Sequence, residues 1–193
     1  MKQAFLQSSQ YIDFDHALVA KRAAELAIDT QSEDEVAKRC FEFARDQIQH
    51  SWDFKRNPVT IKASDVLKHG TGYCYAKSHL LAALLRFNGI PAGFCYQRLS
   101  FGDSGAPYCL HGLNAVYLKE HGWYRIDARG NKPGVAALFC PPREALAFSI
   151  RERAERDFPE IWSEPLAMVI SAMEKYPDFA LLAQNLPDVE VLG

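Results

Sequence analysis

The chain has 193 residues, 48% of them hydrophobic, and 22 Lys and Arg against 24 Asp and Glu give a formal net charge of −2. That length supports one domain with a sizeable core, that apolar fraction excludes a globally disordered chain, and the near-balanced charge gives no electrostatic case for nucleic acid or an anionic membrane as partner. No run of about 18 apolar residues is present to span a bilayer, and Met1 to Gln10 lacks the apolar stretch of a secretory signal. The five cysteines (Cys40, Cys74, Cys95, Cys109, Cys140) are scattered and form no C-x-x-C pair, which predicts reduced thiols and a cytoplasmic location.

In chain order, Ala17, Leu18, Ala20, Ala24 and Leu26 predict a first helix over about 15–28, with Asp13 or Asp15 as its cap. Ser32-Glu33-Asp34-Glu35 has the capping-box form and opens a second helix that carries Val36, Cys40, Phe43, Ala44 and Ile48 on one face. Residues 51–58 read as a connection and Ser64 to Gly70 as a short helical turn. The sequence around 72–91 is the most informative. A glycine turn leads into Cys74, and Ala76, Leu80, Ala83, Leu84 and Phe87 then recur at helical spacing, widened by Leu81 and Leu85 to a fully buried helix. Gly89 and Pro91 end it.

After Pro91 the period changes. Strands are predicted over 92–99, 111–118 and 123–127, with loops at 101–107 and 129–134, a last strand over 145–151, and helices over 165–174 and 178–184. Helices first and an antiparallel sheet afterwards predict an α+β fold in one domain. Its parts are a helical stretch of about 1–63, a core of about 64–130, and a C-terminal strand and helices over 131–193.

Cys74 falls at the start of its helix, where free N–H groups and the positive dipole end favour an anion such as a thiolate. A catalytic cysteine also needs an imidazole beside it and a carboxylate to hold that imidazole. Of six histidines, His79 lies roughly 140° round the helix from Cys74, and His121 sits in a turn. His16, His50 and His69 have no feature that ties them to the cysteine. His111 begins one strand and Asp127 ends the next. The two share a face as diagonal neighbours only if the hairpin loop between those strands has an odd number of residues, so that Leu113 opposes Asp127. A zinc site from Cys74, Cys109 and His111 lacks the short paired spacings such sites use, and no motif calls for a cofactor.

These residues carry a resemblance. Gly72-Tyr73-Cys74, then a helix ending Leu85-Arg86-Phe87-Asn88-Gly89-Ile90-Pro91-Ala92, then His111-Gly112-Leu113, then Gly122-Trp123-Tyr124-Arg125-Ile126-Asp127, resemble the transglutaminase-like superfamily of papain-type thiol enzymes. The resemblance spans roughly 64–130. It implies Cys74 as nucleophile, His111 as general base and acid, and Asp127 as orienting carboxylate. It further implies a thioester route on an amide or isopeptide bond of a protein or peptide substrate, expected to end in peptidase-like hydrolysis. Amine transfer, or a catalytically silent peptide-binding module, are the alternatives. The Cys74 backbone N–H is a natural oxyanion donor, and the Trp52 indole is a second candidate. Leu113 stands where the family often has tryptophan, which predicts a less walled acyl cleft. The calcium-site sequences of large animal transglutaminases have no counterpart.

Overall fold

The structure, a computed structural model, describes residues 2–102 and 104–191. After a 3-10 turn at Gln3–Leu6 come α1 (Ala17–Leu26), α2 (Glu33–Asp46), β1 (Gln49–His50), α3 (Ser51–Phe54), α4 (Ala63–His69), β2 (Thr71–Gly72) and α5 (Cys74–Phe87). Then follow β3 (Ala92–Ser100), β4 (Tyr108–Leu118), β5 (Gly122–Ile126), β6 (Leu138–Cys140), β7 (Arg143–Ala145), β8 (Arg156–Asp157), α6 (Ala167–Lys175) and α7 (Phe179–Ala183). The fold is α+β, as the sequence predicts. Among the described residues no helix is long and apolar enough to cross a membrane.

α5 is the axis of the molecule, with every residue from Cys74 to Arg86 buried. It packs against α1, α2 and α4, and against β3 and β4. Its end follows from Gly89: at φ 73° this residue enters the left-handed region, and the Ile90 N–H turns back to the Leu85 carbonyl at 3.0 Å. The sheet beside it is antiparallel in the order β5-β4-β3-β8. Asn114 ties the two layers, its Nδ2 donating to the carbonyls of Ser78 (3.0 Å) and Gly93 (3.1 Å).

Several local expectations are corrected. α1 is capped by His16, whose Nδ1 accepts from Leu18 N at 3.3 Å, and not by either aspartate. Asp13 instead accepts from the Ser64 N–H and hydroxyl at the start of α4, and Asp15 accepts from the Ser8 hydroxyl. Residues 51–54 form a helical turn where a plain connection was expected. The expected strand over 145–151 stops at Ala145, because the next backbone donors serve a buried side chain: Ala147 N–H goes to Asp127 Oδ2 at 3.1 Å. The sheet's fourth strand is the two-residue β8, too short to show in the sequence pattern.

Candidate active site

Two local rules place the cysteine. Gly72 allows the chain to pass close behind α5, for a Cβ there would lie 3.1 Å from Ala76 Cβ and 3.2 Å from Thr60 Oγ1. Tyr73 then serves as N-cap without any side-chain hydrogen bond, so the first N–H groups of α5, that of Cys74 among them, are left unsatisfied by a cap. Cys74 itself is 8% exposed, at the floor of a cleft of about 370 Å³.

The β4–β5 hairpin places the other two residues. Its loop is the three residues Lys119, Glu120 and His121, closed by Gly122 at φ 74°. The register runs from Leu118↔Gly122 to Asn114↔Ile126, so the next opposed positions are Leu113 and Asp127 and the diagonal partner is His111. His111 Nε2 and Asp127 Oδ2 meet at 2.7 Å. The odd-length loop on which this pairing depends is therefore present. With Nε2 committed to Asp127, Nδ1 is the ring nitrogen left for Cys74, which lines the same cleft and helps to raise the His111 pKa. Phe148 stands edge-on to the imidazole, 5.0 Å between centroids.

Asp127 is wholly buried, and besides His111 its Oδ1 accepts from Arg129 N and its Oδ2 from Ala147 N, both at 3.1 Å. Burial alone would raise its pKa, but the His111 charge and these donors hold it below the usual carboxylate value. For His111, burial opposes the charged ring, yet the negative charges of Asp127 and Cys74 outweigh it and lift the pKa to about 10. The site favours an imidazolium paired with the Asp127 carboxylate.

Aromatic and aliphatic side chains wall the cleft. Trp52, the indole considered for the oxyanion role, stands at the mouth, 41% exposed, edge-on to Phe101 at 5.9 Å and against Phe179 at 6.3 Å. Tyr73, Phe148 and Leu186 also line it. Leu113 does not: it is buried with Cys95 and Ala115, so its difference from tryptophan opens no wall of this cleft. Tyr73 and Tyr75 reach the cleft, whereas Tyr96 accepts from Leu166 N and Tyr108 donates to Glu152.

The other histidines and arginines serve the frame. His79 Nδ1 bonds the Ile61 carbonyl, His121 meets Asp34 at 3.2 Å, Arg86 donates to three backbone carbonyls, and Arg98 grips Asp188 with two nitrogens. His50 is the exception, since it lines the cleft. Sequence reasoning missed it, together with Asp53, which binds Arg129 (2.5 and 3.1 Å) and Lys132 (2.7 Å) beside it. Burial would raise the Asp53 carboxyl, but these cations bring it down to about 2. Lys77 was missed too. It is fully buried one turn into α5, donating Nζ to the carbonyls of Arg45 (3.2 Å) and Ile48. Burial is the main cause of its pKa falling to about 7.

No curated protein matches this sequence. Among solved structures the chain is similar to a candidate cysteine protease from Cytophaga hutchinsonii, at 21% identity and a TM-score of 0.50, over 65% of this chain. That is a likeness of fold, and it spans only 40% of the other protein's length. The model of the transglutaminase-like superfamily matches residues 20–128, more than half of the chain, from within α1 to just past Asp127. The chain belongs to the transglutaminase-like superfamily.

Proposed function

We propose that the chain is a thiol-dependent acyl-transfer enzyme that hydrolyses an amide or isopeptide bond of a protein or peptide. The observation that carries this reading is the buried 2.7 Å His111–Asp127 pair set beside Cys74 at the uncapped start of a buried helix. Cys74 sulfur attacks the carbonyl carbon, and the C=O electron pair moves to oxygen. The imidazolium of His111 gives its proton to the departing amine as the C–N bond breaks, which leaves a thioester on Cys74. The neutral ring then takes a proton from water, and the hydroxide formed attacks the thioester. Asp127 holds the ring in place through both halves. Five free cysteines support a reducing, cytoplasmic setting.

Hydrolysis is favoured over amine transfer because the cleft mouth is open, with Trp52 and Phe101 both about two-fifths exposed, 41% and 42%, and water reaches the thioester there. The test begins with substrate profiling against a proteome digest to find a donor. The products formed with and without millimolar lysine analogue are then measured. Hydrolysed product should dominate in both, and Cys74→Ala should abolish it. Predominant amide product would make the chain a transferase, and turnover surviving in Cys74→Ala would end the thiol mechanism.

A further inference from the structure

His50 is a second imidazole in the same cleft, and it is held in the opposite state from His111. The parallel pairing of β1 with β2 sets His50 opposite Gly72, two residues before Cys74. The ring is 7% exposed, edge-on to Tyr73 at 5.5 Å, and lines the cleft with Cys74 and His111. Among the described residues its buried Nδ1 has no hydrogen-bond partner. Asp53 Oδ2, at 3.7 Å, is too far to accept, and it is already held by Arg129 at 2.5 Å, while Asp53 Oδ1 takes Lys132 at 2.7 Å. A buried polar nitrogen without a partner is costly, and a phenylalanine would fill the same space without that cost. Burial first, and the Arg129 charge second, hold the ring neutral. A neutral imidazole carries one N–H, and because no acceptor among the described residues lies within hydrogen-bonding distance of the buried Nδ1, the proton is better placed on Nε2, where a ligand in the cleft can accept it.

We propose that His50 is the side-chain half of the oxyanion hole, its Nε2–H and the Cys74 main-chain N–H together binding the acyl oxygen as the carbonyl becomes tetrahedral. A neutral donor suits this place, because a second imidazolium would repel the charged His111 ring.

The inference rests on the thiol acyl-transfer reading, and the experiment separates the two. Cys74 is acylated with 4-nitrophenyl acetate: the S–C bond forms, the carbonyl pair moves to oxygen, and collapse expels 4-nitrophenolate, followed as a burst. In parallel, Cys74 is alkylated with chloroacetamide, a displacement at saturated carbon that makes no oxyanion. His50→Phe, which keeps ring volume but has no N–H, should lose about 100-fold or more in acylation, with alkylation near wild type. His50→Gln, which restores an N–H, should recover much of the loss. Equal losses in both reactions would make His50 a support for Cys74 and overturn the proposal, as would unchanged acylation in His50→Phe. A loss that appears instead in Trp52→Phe would hand the role to the indole. Wild-type protein that is alkylated but never acylated would overturn the acyl-transfer reading itself.

Discussion

Asp127→Asn perturbs the site by one charge and almost no volume. In the native site the His111 pKa stands at about 10 against an ordinary 6.5, a difference of roughly 5 kcal/mol in favour of the charged ring. Asp127 is the larger of the two charges that produce that rise, with Cys74 second. With the carboxylate gone, burial prevails and the ring is neutral at pH 7. The best placement of the new amide puts its oxygen where Oδ2 was, facing His111 Nε2 and Ala147 N. Its NH2 then faces the Arg129 N–H, donor against donor, at a cost of about 1–3 kcal/mol. Because the amide oxygen still accepts from Nε2, the ring keeps its tautomer. The loss of acylation is therefore expected near 10²–10³, short of the roughly 10⁴ seen for the corresponding change in a serine protease triad. The assay is the rate of Cys74 alkylation by iodoacetamide across pH 5 to 10, alongside acylation. Wild type should react readily at about pH 6, and Asp127→Asn should react only as the pH rises. The stability the pair contributes should be complete between the ordinary values of the two groups, 3.8 for Asp127 and 6.5 for His111, and fade as pH climbs toward about 10. An alkylation profile identical in the two proteins would refute the ion-pair reasoning.

Three further outcomes are expected. At pH about 6, iodoacetamide should label Cys74 ahead of the others, since burial pushes the thiols of Cys40, Cys95 and Cys109 each up to about 12; peptide mapping by mass spectrometry checks this, and equal labelling of all five would count against it. Gly112→Ala should destabilise the protein by about 1–3 kcal/mol and slow acylation, because its Cβ would lie 2.8 Å from Tyr75 Cδ1, on a ring anchored through its hydroxyl to the Leu110 carbonyl. Denaturant melts with a burst assay would show it, and a silent variant would mean the β4–α5 approach has slack. Lys77 binds its proton more weakly folded (about 7) than unfolded (10.5), so wild type should gain stability relative to Lys77→Met as pH rises from 7 to 10; parallel pH-dependent melts would expose a missing slope.

The sequence made α5 legible almost to the residue because several independent signals agree there: the glycine turn, a wide apolar face, and the Gly89-Ile90-Pro91 stop. The hairpin register was legible only as a condition. An alternating pattern says which residues share a face within one strand, and the loop decides how two strands align. His50 and Lys77 were hidden for a different reason. Each is polar, and its importance comes from a distant neighbour: the parallel β1–β2 pair for His50, the end of α2 for Lys77. No local periodicity encodes such a meeting. The premise about Leu113 failed because a motif position fixes a place on the strand and not the direction in which the side chain leaves the sheet.

The cysteine is carried by the helical layer, while the imidazole and carboxylate are carried by the sheet, and Asn114 is the bolt between them, gripping Ser78 one turn below Cys74. Neither layer needs to unravel for the site to come apart; a slip of one against the other suffices. The thiol's reactivity is thus a gauge of how firmly the two halves are seated. Under rising denaturant it should fade before the helical signal does, and whatever clamps the two halves together should restore it without touching any residue of the site.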